Sequence, residues 1–225
     1  AVLSLDTRSR GLFLTAGALA GLAVLTRPAM LFFLPLVALW LASRREWRGL
    51  VLLSVACALV ILPWTVRNAR EYGRFVLVAS EGGITLWTGN HPLAIGEGDL
   101  AANPQLKREN MALRSRHPGL TPEQLEPIYA RDALRFIREQ PVAWARLMAR
   151  KAFYAVVPVG PSYRLHSALY FGASVVSYLA VLPFALMGFA RLARARRLPV
   201  PLLLLAASSL LVCLVFFPQE RFRIP

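Results

Sequence analysis

Residues 61–92 read ILPWTVRNAREYGRFVLVASEGGITLWTGNHP, and their change of character decides how the rest of the chain is read. The stretch begins as the end of an apolar helix and passes Trp64. It then turns basic at Arg67, Asn68, Arg70 and Arg74, and closes on Gly89-Asn90-His91-Pro92. A chain that leaves a membrane and builds a polar pocket at its surface has this order of residues. The residues before the stretch read as helices that deliver it. Those after it read as a loop domain and two further helices.

Composition points the same way. The 225 residues are 56% hydrophobic with a mean hydropathy of +0.50, above the roughly 45–50% apolar content of soluble domains. The formal charge is +14, but the basic residues interrupt long apolar runs. Membrane topology and anionic lipid explain that pattern better than nucleic acid does. Cys57 and Cys213 both lie inside apolar runs and read as small core residues, with no disulfide framework or metal-ligand cluster. The chain opens at Ala1 without a methionine and stops at Arg-Ile-Pro, so a piece of a longer protein is expected.

Residues 11–25 and 28–42 are apolar runs separated by Thr26-Arg27-Pro28. Each is shorter than the roughly 20 residues that span a bilayer, so they read either as two short helices or as one kinked helix. Gly17 and Gly21 make a small-xxx-small pair suited to close helix contact. Residues 49–64, 165–189 and 200–217 are further spans. The short basic loops 44–48 and 190–198 fall on the cytoplasmic side by the positive-inside rule, which puts 65–164 and 218–225 outside. The expected architecture is a mainly α, polytopic helical bundle in a bacterial plasma membrane. Residues 1–64 and 165–225 carry the membrane helices, and 65–164 form an extracytoplasmic α/β insertion.

Within that insertion, Arg74–Ala79 and Ile84–Thr88 read as short β-type runs around Ser80-Glu81-Gly82-Gly83, a hairpin pattern. Pro104–His117 reads as a polar helix. Thr121-Pro122-Glu123-Gln124 spells a capping box with proline at the first helical position. The helix it opens places Leu125, Ile128, Ala133, Phe136 and Ile137 on one face. Pro141 starts another helix, with Trp144, Leu147 and Met148 opposed by Arg146 and Arg150. It suits either the membrane interface or the core of a small domain.

This topology gathers Arg27, Arg67-Asn68, Trp87 to His91 and Glu220-Arg221-Phe222-Arg223 on the outer face. Arginine near hydrocarbon is costly and tends to face a cavity or a partner; Arg27, between two apolar runs, fits that description, and a snorkelling helix-end arginine is its plainer reading. Arg67, Arg221 and Arg223 have the forked donors that grip phosphate oxygens, although singly each also suits a headgroup anchor. Asn90 and His91 are ligand candidates in a turn where Asn commonly serves the turn itself. Trp87 suits stacking on a sugar ring or a place in an interfacial belt. Glu220 suits pairing with a neighbouring arginine or contact with a substrate hydroxyl.

Several of these elements recur together: GLAVLTRP (21–28), PWTVRN (63–68), GRFV (73–76), LWTGNHP (86–92) and ERFRIP (220–225). In order and spacing they resemble the later half of bacterial polyprenyl-phosphate-sugar glycosyltransferases of the GT-C fold, the family-39 and aminoarabinose-transferase-like group. The resemblance implies transfer of a sugar from a polyprenyl-phosphate carrier to a lipid, glycan or protein acceptor outside the cytoplasm. It implies inversion at the anomeric carbon, an acidic base in an early outer loop, and Arg27 lining the carrier-phosphate cavity. No such acidic loop precedes Gly11, so the base is expected upstream of Ala1 and the segment alone is expected to be inactive. Phosphate contact by Arg221 or Arg223 extends the resemblance. No metal and no cofactor is expected beyond the donor itself.

Two other functions share features with this one. A lipid-linked glycan transporter would use the same arginines, but repeated helical units and short outer loops would then be expected. A non-catalytic scaffold binding anionic lipid would not need Arg27, Arg67 and Arg223 to converge. No P-loop, dinucleotide glycine motif or Ser-His-Asp spacing is present.

Overall fold

A computed structural model describes residues 10–157, 160–161, 165, 167–195 and 199–218. Helix α1 (Arg10–Thr26) ends where Arg27 turns extended, with φ −141° and ψ 98°. The cause is Pro28, whose ring disfavours helical backbone in the residue before it. A 3₁₀ turn (Pro28–Phe32) and α2 (Phe33–Ser43) come next, so residues 11–42 make two short helices broken at Arg27. Helix α3 (Trp47–Tyr72) runs on past Trp64 and stops at Gly73, whose φ of 62° gives the left-handed conformation that ends helices at low cost.

Helix α1 packs along α3 through its glycines. A Cβ on Gly17 would lie 2.3 Å from the Leu53 carbonyl oxygen, and one on Gly21 2.8 Å from Val60 Cβ. Only residues without a side chain allow that approach. Below the contact, Val24, Cys57, Ile61 and Val78 form a buried cluster with Met30, Leu31 and Leu34 packed against it.

The expected hairpin is not there, and no described residue is in a strand. Residues 75–78 do alternate, with Val76 and Val78 buried and Phe75 and Leu77 exposed. Their carbonyls, however, bond to side chains of α3 rather than to another strand. The second run is helix α4 (Gly82–Gly89). The Glu126 carboxylate accepts from the Gly83 and Ile84 N–H groups at the head of this helix. A carboxylate at a helix N-terminus satisfies orphan donors and complements the helix dipole. That cap comes from a distant residue, which is why a local β reading failed. The described residues of 65–164 are helical or irregular with no strand, so the α/β expectation for this segment is not supported.

Among the described residues, those up to Ser80 with Leu204–Ser209 form one compact unit, and those of Glu81–Leu203 with Leu210 to Pro218 form a second. In the second, α5 (Pro104–Ser115) is capped by Asn103, whose Oδ1 accepts from the Leu106 N–H at 3.2 Å. Helix α6 (Pro122–Glu139) opens on the capping box read from the sequence, with both of its hydrogen bonds formed. The core around it is Trp87, Leu106, Leu113, Leu125, Tyr129 and Ala133. Helix α7 (Pro141–Val156) is a core helix of this unit, since Leu147 packs with Ala94 and Phe136, and Trp144 and Met148 flank them.

Helices α8 (Ala168–Arg194) and α9 (Val200–Val215) complete the described chain. Helices α3 and α8 are long and apolar enough to cross a membrane. At about 1.5 Å per residue they reach roughly 40 Å, against a hydrocarbon core of about 30 Å. Helix α9, at 16 residues, covers about 24 Å.

Candidate functional site

The first unit holds an open groove of about 460 Å³. Leu31 and Leu34 line one wall, Leu53 to Thr65 of α3 the other, and Phe75 and Leu77 close one end. Apart from Ser54, Cys57 and Thr65, every lining residue is apolar. From Leu53 to Thr65 the groove runs along α3 for about 18 Å, roughly the depth of one bilayer leaflet.

The polar end of the groove is built by the residues after Thr65. Thr65 donates its hydroxyl to the Leu77 carbonyl at 2.8 Å, and Trp64 donates its indole N–H to the Val78 carbonyl at 3.0 Å. Asn68 is 1% exposed and donates its amide to the carbonyls of Val76 (3.4 Å) and Val78 (3.1 Å). These bonds replace the ladder partners that an extended segment otherwise lacks. Asn68 is therefore an internal clamp, and its Oδ1 accepts from Arg67 Nη1 at 3.2 Å. Arg67 itself is exposed, with its guanidinium 4.9 Å from the Trp64 ring centroid. Stacking and one hydrogen bond orient the planar fork and leave its other N–H groups to face an anion. Arg27 is exposed at the head of the 3₁₀ turn whose Leu31 lines the groove.

Trp87, Asn90 and His91 belong to the second unit, and there the structure brings them together. Trp87 is 1% exposed; its ring lies 4.5 Å from that of His91 and 5.4 Å, edge-on, from Tyr129. Its indole N–H has no acceptor among the described residues. His91 is half-buried, and its Nδ1 accepts from the Leu93 N–H at 3.1 Å, which puts the neutral ring's proton on Nε2. Burial lowers its pKa, against weaker opposing pulls from Glu109 and Asp132.

Asn90 is 2% exposed and joins several elements. Its amide donates to the Leu86 carbonyl (2.9 Å) and the Val215 carbonyl (2.7 Å). Its Oδ1 accepts from Trp144 Nε1 (3.1 Å) and Lys151 Nζ (3.2 Å). Lys151 is fully buried and also donates to the Leu214 carbonyl at 2.9 Å. Burial alone pushes its pKa down to about 7. Sequence reading passed over this lysine, although Trp144, Leu147, Met148 and Lys151 share one helical stripe. Glu220, Arg221 and Arg223 lie outside the described residues. No group of His, Cys, Asp and Glu side chains among the described residues is arranged to hold a metal ion.

No protein-family model, curated protein or solved structure matches this chain.

Proposed function

We propose that this protein is a membrane glycosyltransferase of the GT-C type, moving a sugar from a polyprenyl-phosphate carrier to a lipid, glycan or protein acceptor on the extracytoplasmic face. In this reading the chain is multi-pass in a bacterial plasma membrane, with loops 44–48 and 190–198 cytoplasmic and 65–164 outside. The observation that supports it best is the apolar groove beside α3, with two exposed arginines close in sequence to its lining, Arg67 just beyond Thr65 and Arg27 one turn before Leu31. A polyprenyl phosphate has the matching chemistry, a long run of hydrocarbon units ending in an anion.

The carrier's isoprenoid tail occupies the groove, and the phosphate meets Arg27 and Arg67. The acceptor hydroxyl attacks the anomeric carbon while the bond from that carbon to the phosphate oxygen breaks. The electron pair leaves with the phosphate, whose growing charge the guanidinium groups stabilise. The acceptor proton passes to a carboxylate acting as general base; no described residue is assigned that role. Asn68 acts through Arg67, holding the guanidinium and the 74–78 segment in place.

The test uses the whole protein in native membranes with a radiolabelled polyprenyl-phosphate sugar and a photoreactive polyprenyl phosphate. Arg27→Ala and Arg67→Ala should each weaken carrier labelling roughly tenfold or more, as loss of a charge-assisted hydrogen bond does, and transfer should fall with it. Labelling and transfer both unchanged in the two variants would overturn the phosphate assignment. Carrier labelling without transfer to any acceptor would favour a lipid-linked glycan transporter or a lipid-binding scaffold.

A further inference from the structure

Among 26 lysines and arginines only two are lysine, Lys107 and Lys151. Lys107 is exposed on α5; Lys151 is the one in the interior. The distinction is chemical. Arginine stays charged at any pH a protein meets, whereas lysine can lose its proton when burial demands it. The buried basic position is thus filled by the residue type that can be neutral.

The geometry fits the neutral form. An uncharged amine carries two N–H bonds and a lone pair, and Lys151 Nζ has two acceptors, Asn90 Oδ1 at 3.2 Å and the Leu214 carbonyl at 2.9 Å. No carboxylate among the described residues bonds to it. On the elements around it the titratable groups are His91 beside Asn90, Glu97 in the loop beyond, Arg146, Arg150 and Tyr154 on α7, and Cys213 on α9. None of them contributes to its shift, which comes from burial. A third N–H and a full charge would arrive there without an acceptor or a counter-ion among the described residues.

What this amine holds is the last turn of α9. The final carbonyls of a helix have no partner within it. Here Lys151 takes that of Leu214 and the Asn90 amide takes that of Val215. The chain beyond is seated closely as well. A Cβ on Gly89 would fall 1.9 Å from the Phe216 carbonyl oxygen, and one on Gly98 would overlap the Phe217 ring. Phe217 and Pro218 are buried.

We infer that Lys151 and Asn90 form a protonation-sensitive latch on the end of α9, closed while the amine is neutral and loosened when it takes up a proton, and so position the segment after the helix. This goes beyond the transferase reading and does not depend on it. Linkage gives the sign. The folded-state pKa lies below that of the unlatched lysine, so the latch is tightest above the unlatched value. It weakens as pH falls from about 10 towards about 7, and levels off below that.

Two measurements on the full chain in nanodiscs test it. With lysine labelled at ¹³Cε, the NMR signal that Lys151→Met removes reports Lys151. Its titration midpoint should lie within about one unit of neutrality; a midpoint near that of a solvated lysine would overturn the proposal. Hydrogen exchange of peptides over 210–218, divided by the intrinsic rate, should speed up by as much as about tenfold per pH unit from pH 9 to pH 7 and then flatten. In Lys151→Met the profile should be level. A level profile in the wild type, or the same slope in Lys151→Met, sinks the latch. The wild-type exchange arm stands even if the methionine variant does not fold.

Discussion

Two asparagines, Asn68 and Asn90, are built alike and work over different distances. Each is almost wholly buried, and each donates its side-chain amide to two backbone carbonyls. Asn68 ties α3 to a segment 8 and 10 residues on. Asn90 reaches across 125 residues to Val215. Their carbonyl oxygens differ more. That of Asn68 meets Arg67, which is exposed to water, whereas that of Asn90 takes Trp144 and Lys151 in the interior. One asparagine shapes the rim of a groove, and the other is the hub of a domain. The same residue type therefore carries quite different consequences, set by what it would leave unpaired.

Substitution should rank them. Asn90→Ala strands the Val215 carbonyl, the Trp144 indole and one bond of Lys151 inside the fold, at about 1–3 kcal/mol for each buried group without full addition. A loss of about 3–5 kcal/mol is expected on that basis, read as early denaturant unfolding and fast hydrogen exchange of α4, α7 and the end of α9 together. If only α4 responds, the hub is not a hub. Asn68→Ala should cost about 1–3 kcal/mol, with exchange rising over 74–80 while α4 and α7 stay protected. Thr121→Ala sharpens the contrast from the wet side, because its capping box makes hydrogen bonds of the same kind at an exposed helix end. About 1 kcal/mol is expected there, confined to the first turn of α6. A cost equal to that of Asn90 would mean that burial does not set the scale.

Sequence patterns reached the local features well. The capping box at Thr121, the proline starts of α5, α6 and α7, the break at Arg27 and the glycine contact of α1 all depend on neighbours within a turn or two. The misses came from partners far along the chain. Residues 84–88 have a β-like composition, but Glu126 caps them and Trp87 packs against Tyr129, so they wind into a helix. Residues 75–78 alternate as a strand should, yet meet side-chain amides instead of a second strand. Trp87 and Asn90 drew notice for their chemistry, and the structure uses both inside the fold. Lys151 stands beside Arg150 in a strongly basic chain, where a single lysine is inconspicuous. Its place on the apolar stripe of α7 was the available signal, together with the scarcity of lysine in the chain.

Helix α8 has no buried residue along its length. Buried side chains are what lock a helix's angle through ridge-and-groove packing, and α8 offers only half-buried ones and the Tyr178 hydroxyl's bond to the Val156 carbonyl. In the proposed spanning placement, its roughly 40 Å of length exceeds about 30 Å of hydrocarbon, and tilting takes up the difference. In that placement Tyr170 near one end and Arg191 and Arg194 at the other would supply the remaining bias. With α8 spanning as proposed, its angle depends on bilayer thickness, and a thinner membrane should lay it further over.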